Sequence, residues 1–158
     1  MTFSRCACPF YRGEGLEETK MQAHVLLCDH AQVAGNKLFI SGAGISNIPV
    51  GVSTSLAVLI YVPWDQANTQ IPYTLHLETS DGVTDLPSPD GSTARIELGG
   101  QIEVGRPPGA IPGIPLEVPV AIGVPPLALN PGRYMWRLTI EGVENELWTA
   151  GFNLHGQS

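Results

Sequence analysis

The strongest constraint on this chain is that its apolar residues occur in short runs, separated by segments rich in glycine and proline. The sequence contains 18 Gly and 14 Pro among 158 residues, and these residues punctuate the chain between the apolar runs. None of the runs repeats with the period of an amphipathic helix. Short runs broken by turn residues are typical of an all-β domain with many strands.

The spacing of apolar residues predicts where the strands lie. Residues 73–79 (YTLHLET) and 133–141 (RYMWRLTIE) alternate between apolar and polar side chains, which predicts strands with one buried face. Residues 55–62 (SLAVLIYV) are apolar almost throughout, which predicts a central strand buried on both faces. The other predicted strands are residues 24–29, 37–41, 94–104, 116–124 and 146–154.

Turn residues predict how some of these strands connect and bend. The turn signal at Ala34-Gly35-Asn36 predicts that the first two strands form a hairpin with a slightly lengthened loop. The pair Gly99-Gly100 predicts a bulge or sharp bend in one long strand over residues 94–104. Pro119 predicts that residues 116–124 form an edge strand, because proline cannot donate a ladder hydrogen bond.

About seven to nine short strands without an amphipathic helix favour an antiparallel Greek-key β-sandwich. A closed β-barrel is the alternative. The length of 158 residues suits one domain. The two segments rich in proline and glycine lie between strands that must share a core, so we expect residues 21–158 to form a single domain.

Residues 1–20 differ from everything that follows. They hold two of the three cysteines and show neither a strand nor a helix period. The codons of Glu17-Glu18 can spell a purine-rich ribosome-binding sequence shortly before Met21. We infer that Met21 is the natural start and that residues 1–20 are an upstream extension; the alternative is a flexible arm.

The charge and cysteine content exclude several classes of function. The formal net charge is −7 and basic residues form no run, which argues against binding to nucleic acid or to an anionic membrane. No apolar stretch reaches the roughly 18 residues of a membrane helix. The cysteines Cys6, Cys8 and Cys28 are an odd number without metal-site spacing, so we expect free thiols and a cytoplasmic protein.

No residue pattern indicates an enzyme, a metal site or a cofactor. The four histidines stand apart and show no zinc-protein spacing, and a nucleophile elbow of the G-x-S-x-G type is absent from the sequence. Asp81, Asp85 and Asp90 share one long loop, as in calcium-binding sandwiches, but their spacing matches no known calcium loop. We interpret them as solvated turn residues.

Two sets of residues are candidates for binding. Trp64 and Trp148 are candidates for stacking on a sugar or another small ligand, although Trp148 also suits a cross-strand pair with Trp136 in the core. The second set lies in a loop that places two isoleucines among prolines and is expected to be exposed and stiff. These candidates for contact with a partner are Arg106, Pro107, Pro108, Ile111 and Ile114.

Two resemblances support this interpretation. Residues 131–138 (PGRYMWRL) resemble the P-G-x-Y turn and strand of bacterial immunoglobulin-like sandwiches. Residues 24–44, VPWD at 62–65, EVGRPPG at 103–109 and 131–142 together resemble a family of small actinobacterial proteins of unknown function, over roughly residues 21–154. The resemblance implies a bacterial sandwich protein and transfers no site residues.

The favoured hypothesis is therefore a non-enzymatic binding or assembly module without a cofactor. Its expected partner is a protein or a second copy of the chain, because rigid loops and open sheet edges can both mediate association. An accessory role in a larger assembly belongs to the same class. The alternative is a sandwich that binds a small ligand or a carbohydrate.

Overall fold

The computed structural model describes residues 20–156, and this part of the chain is all-β. The predicted extension at residues 1–20, with Cys6 and Cys8, therefore lies almost entirely outside the described residues. The strands are β1 (Gln22–Cys28), β2 (His30–Ala34), β3 (Lys37–Ser41), β4 (Asn47–Pro49), β5 (Thr54–Val62), β6 (Ile71–Thr79), β7 (Leu86–Pro87), β8 (Thr93–Ala94), β9 (Glu97–Ile102), β10 (Leu116–Val124), β11 (Gly132–Ile140) and β12 (Val143–His155). A 3₁₀ turn, Trp64–Gln66, follows β5.

Two larger sheets and two small hairpins contain these strands. The first sheet has the order β1-β5-β10, and the second has the order β4-β12-β11-β6-β9. Among the strand pairs of residues 20–156, only that of β12 with β4 is parallel. Over residues 20–156 the twelve strands exceed the seven to nine expected, because the short strands β4, β7 and β8 and the strand β2 give no clear sequence signal. In this range no helix is long and apolar enough to cross a membrane.

Within residues 20–156, one cluster of buried apolar side chains forms the core. It contains side chains from β1 and β5 of the first sheet and from β6, β11 and β12 of the second. The inward-facing residues of β5, namely Leu56, Val58, Ile60 and Val62, are all completely buried. Burying these side chains contributes roughly 1.5–3 kcal/mol each, so β5 anchors the fold.

The hairpin β2–β3 covers the other face of β5. Both of its strands contact β5 and β10, and Ser55 and Ala57 on the outer face of β5 are also buried. The predicted burial of β5 on both faces is therefore confirmed for its first half, whereas Leu59 and Tyr61 on the outer face are only partly buried. The hairpin turns at Gly35 and Asn36, whose φ values of 57° and 60° are those of a type I′ turn.

The predicted pairing of the first two strands was wrong. The strand β1 pairs with β5 along its whole length, and the hairpin partner of β3 is β2, a strand absent from the prediction. The chain turns at Asp29, whose backbone N–H donates to the carbonyl groups of Ser41 and Gly42. This corner separates β1 from β2, whereas the pattern of apolar residues shows no break between the two strands.

The long strand predicted over residues 94–104 is divided into β8 and β9, and it has no bulge. The register between β6 and β9 runs unbroken through Gly99 and Gly100. The glycines serve close packing instead. A Cβ at Gly99 would lie 2.9 Å from the carbonyl oxygen of Tyr73, and a Cβ at Gly100 would lie 3.1 Å from the Tyr73 hydroxyl.

The alternation predicted for β11 is confirmed, and it places aromatic residues in the core. In β6 it is confirmed for Leu75 and Leu77, whereas Glu78 on the polar face is also buried. Trp136 of β11 is fully buried, as is nearly all of Trp148 of β12. The residue opposite Trp136 is Ala150, however, so the two tryptophans are not a cross-strand pair. The aromatic pair across these strands is Tyr134 with Phe152, at 6.0 Å between ring centroids.

We expect Gly42, beside the corner at Asp29, to tolerate alanine less well than other glycines with a positive φ. Gly42 has a φ of +67°, and a Cβ there would lie 2.7 Å from Cγ and 3.1 Å from Cβ of Asp29, so Gly42→Ala adds displacement of the exposed Asp29 side chain to backbone strain. We predict a loss of about 2–3 kcal/mol in the free energy of unfolding, measured with urea. The matched control Gly44→Ala also has a positive φ but open space, so it loses only about 1 kcal/mol. Equal losses in the two variants would contradict the role of the Asp29 side chain.

Candidate functional site

A groove lies at the end of the first sheet where β5 ends and β10 begins. It has a volume of about 620 Å³, which is within the range of sites that bind small molecules or short segments. We name it the Pro–Gly groove. Its lining residues are Asn36, Trp64, Glu103, Val104, Gly105, Arg106, Pro107, Ala110, Ile111, Ile114, Pro115, Leu116 and Glu117.

Sheet pairing brings three distant segments to this groove. Leu116, the first residue of β10, pairs with Val62, the last residue of β5, so the Pro–Gly-rich loop ends beside the start of the 3₁₀ turn. The backbone N–H of Asn68 donates to the carbonyl of Val104 at 2.8 Å, which fastens the loop to that turn. The tip of the β2–β3 hairpin supplies Asn36.

Two consecutive Pro–Gly turns shape the loop. In residues 107–110 the N–H of Ala110 donates to the carbonyl of Pro107 at 3.0 Å, and in residues 111–114 the N–H of Ile114 donates to the carbonyl of Ile111 at 3.3 Å. Gly109 and Gly113 have φ values of +82° and +88°. Proline at the second position and a glycine with positive φ at the third define two type II β-turns, so sequence and hydrogen bonding fix the same loop conformation.

Arg106 closes the wall of the groove over Trp64. Its Nη2 donates to the backbone carbonyl of Trp64 at 2.9 Å, and its guanidinium carbon lies 4.8 Å from the centroid of the indole ring. The geometry is a cation–π contact, worth about 0.5–1 kcal/mol at an exposed site. The contact holds the arginine against the groove wall and covers one face of the tryptophan.

Two carboxylates at the groove carry unbalanced charge. Glu103 follows β9 and Glu117 lies at the start of β10, and both are exposed. Within residues 20–156 neither of them forms an ion pair. Because Arg106 is the one cationic side chain among the lining residues, the described lining carries a net negative charge.

The structure places most of the predicted binding residues in this one groove. Four of the five candidates for partner contact line it directly, and the fifth, Pro108, occupies the second position of the first turn. The stacking candidate Trp64 also lines it, although sequence alone does not connect Trp64 with the loop. The other stacking candidate, Trp148, is 2 % exposed in the core, so its ring is not available to a surface ligand.

A second polar cluster, which the sequence did not indicate, lies on the outer face of the second sheet. Arg137 of β11 donates to Glu78 Oε1 from Nε at 3.0 Å and from Nη2 at 2.9 Å. His76 Nε2 lies 3.2 Å from Glu78 Oε2. Burial alone would raise the pKa of Glu78, but the hydrogen bonds and charges of Arg137 and His76 outweigh it, so the pKa is lowered. Both carboxylate oxygens are satisfied, which is typical of a stabilising cluster.

Three other titratable candidates, Cys28, Asp85 and Asp90, have local partners. Cys28 is fully buried and its thiol donates to the carbonyl of Ser55; burial and the charge of Asp29 raise its pKa, which keeps the thiol protonated. Asp85 pairs with Arg95, and Asp90 accepts hydrogen bonds from Ser92. Across residues 20–156, no three His, Cys, Asp or Glu side chains are grouped so that they could hold a metal ion.

Comparison with known proteins identifies a family but not a function. Residues 23–149 match the model of a family described as a family of unknown function (DUF6941). No curated protein matches the chain.

Solved structures show only a loose likeness. An alkylpurine DNA glycosylase from Pseudomonas fluorescens, bound to DNA containing an abasic site analog, has 13% identity and a TM-score of 0.40, covering 84% of this chain and 30% of that one. A family 123 glycoside hydrolase from Clostridium perfringens has 10% identity and a TM-score of 0.31, covering 87% of this chain and 27% of that one. This chain thus spans less than a third of either protein, and we draw no functional argument from them.

The Glu78 cluster predicts a specific loss of stability in acid. Because the pKa of Glu78 is lower in the folded state, its ionised form stabilises the fold at neutral pH, and this contribution is lost as the pH falls through the folded pKa. We predict that Glu78→Gln lowers the free energy of unfolding at pH 7 by about 2 kcal/mol and flattens its decline toward acid, measured by urea unfolding across pH. The exposed neighbour Glu97 gives the control, Glu97→Gln. An unchanged acid decline in Glu78→Gln would refute the assignment.

The contact of Arg106 with Trp64 predicts a change in tryptophan accessibility. Since Trp136 and Trp148 are buried, quenching of fluorescence by acrylamide reports mainly on Trp64. We expect Arg106→Gln to increase quenching while the free energy of unfolding falls by about 1 kcal/mol or less. The control Arg133→Gln, at an exposed position on β11, leaves quenching unchanged. Equal quenching in wild type and Arg106→Gln would show that the contact does not shield the ring.

Proposed function

The chain belongs to DUF6941, a family of unknown function, and we propose that it is a non-enzymatic module that binds a protein partner through the Pro–Gly groove. A β-fold of this kind can support many functions, so the proposal depends on the groove and not on the architecture.

The main support for the proposal is that two isoleucines are exposed to solvent on a loop whose turns are closed by hydrogen bonds. Ile111 is 65% exposed and Ile114 is 51% exposed, and each begins or ends a hydrogen-bonded Pro–Gly turn. Holding apolar side chains in water adds nothing to the stability of the isolated domain. A partner that covers them removes this apolar surface from water, and a stiff loop loses little conformational entropy on binding.

The neighbouring residues suit the same use. Trp64 and Arg106 are residue types enriched among those that dominate protein–protein binding energy. They lie beside the two isoleucines in the groove, and their mutual contact fixes both side chains before a partner arrives. The groove therefore combines apolar anchors, an aromatic ring and a held cation within one surface.

Binding of a small ligand or carbohydrate is the second candidate. The volume of about 620 Å³ and the presence of Trp64 favour it. Two observations weigh against it: Arg106 covers one face of the Trp64 ring, and Trp148 lies in the core. A sugar-stacking platform needs exposed ring faces, so we rank this candidate below protein binding.

We also propose that the domain is a Greek-key sandwich of the immunoglobulin-like type. The support is the core shared by two sheets, together with the hydroxyl of Tyr134, which donates to the carbonyl of Asn130 at 2.5 Å. A tyrosine that bonds to the backbone a few residues upstream, near the start of a late strand, is the tyrosine corner of such domains.

Site-specific photo-crosslinking in cells of the native organism tests the binding proposal. A photoreactive residue at position 114 is expected to yield discrete adducts with a protein, whereas the same residue at Leu147, which is 80 % exposed on β12, yields none. With the purified partner, Ile111→Asp and Ile114→Asp are each expected to weaken binding at least about tenfold. Both positions are exposed, so the unfolding temperature should not change.

Two results would contradict the proposal. One is an adduct pattern that is the same at positions 114 and 147, which would indicate contact without a preferred surface. The other is unchanged affinity in both aspartate variants, which would place the binding surface elsewhere on the domain.

A further inference from the structure

Resting on the proposed function, we infer that the occupant of the Pro–Gly groove is an extended protein segment that combines an aliphatic side chain with a lysine or arginine. The charges at the groove and its apolar lining together define the chemistry of this partner.

The groove offers negative charge that the domain leaves unbalanced. Glu103 and Glu117 both line it and are exposed, and in the described range 20–156 neither takes part in an ion pair. Arg106 does not neutralise them, since its guanidinium lies on the Trp64 ring and donates to the Trp64 carbonyl. A cation of the partner near these carboxylates would gain electrostatic attraction without displacing an existing pair.

The charge of the whole chain also favours a basic partner. A net charge of −7 attracts a basic segment over a distance and repels an acidic one. It also disfavours a second copy of this chain as the occupant, because two equally acidic molecules repel each other. A basic partner is therefore the occupant that the charge distribution favours.

The apolar residues that line the groove predict the aliphatic side chain of the segment. Ile111, Ile114 and Leu116 lie along the same groove as the carboxylates. An aliphatic side chain covers the two exposed isoleucines, and a neighbouring lysine or arginine reaches a carboxylate. The small volume, about 620 Å³, suits a few residues of extended chain and not a folded surface.

The test uses displayed libraries of random eight-residue segments, selected against the full chain. Selected segments are expected to combine aliphatic residues with Lys or Arg and to lose binding to a chain carrying Ile111→Ser and Ile114→Ser, which removes the apolar side chains without adding negative charge to the groove. As synthetic peptides, they should bind the Glu103→Gln/Glu117→Gln chain about three- to tenfold more weakly, and the difference should shrink at high salt. The matched control is Glu144→Gln/Glu146→Gln on β12, which changes the net charge equally and should weaken binding much less.

The outcomes separate this inference from the proposal on which it rests. The charge inference would be overturned by segments that depend on Ile111 and Ile114 but lack basic residues. It would also be overturned by segments whose affinity is the same for the wild type and the Glu103→Gln/Glu117→Gln chain. Either result would leave the proposed binding function intact. Failure to select any segment that depends on the isoleucines would overturn both. A dimer of the full chain that dissociates in the Ile111→Ser/Ile114→Ser variant, measured by light scattering, would assign the groove to a second copy and overturn the basic occupant.

Discussion

Burial of β5 on both faces is the constraint on which the rest of the structure depends. Its inner side chains close the core against the second sheet, and its outer face is covered by the β2–β3 hairpin. Its two edges pair with β1 and β10. Because both edges and the inner face of β5 are held, the residues that follow it, Pro63 and Trp64, have a fixed position, and the groove lies next to them. The proposed binding surface thus lies directly after β5, the most buried strand.

The sequence predicted those elements whose signal is local. The alternation of Tyr134, Trp136 and Leu138 in β11 and the continuous apolar run of β5 reflect which faces are buried. Pairing partners are not local, because β1 pairs with β5 across an intervening hairpin. The apolar pattern gave no sign of the corner at Asp29, since that corner depends on carbonyl groups of Ser41 and Gly42 supplied from a later part of the chain.

The groove could be predicted only in part, for the same reason. The prolines and isoleucines of residues 106–115 mark a stiff apolar loop, since their turn chemistry is contained within the loop. The contact between Arg106 and Trp64 joins residues 42 apart in sequence, and no local pattern reports it. The pairing of Glu78 with Arg137 was missed because each is an ordinary polar residue on an alternating strand until the register places them together.

A binding surface that exists before a partner arrives requires a rigid loop at the groove, and backbone ¹⁵N relaxation of residues 106–114 in the free protein measures this rigidity. If the two Pro–Gly turns and the contact with Trp64 fix the loop, the order parameters of its non-proline amides should equal those of β5 and β11, at about 0.85. Values below about 0.6 over these residues would show a loop that moves freely, and a preformed binding surface would be contradicted.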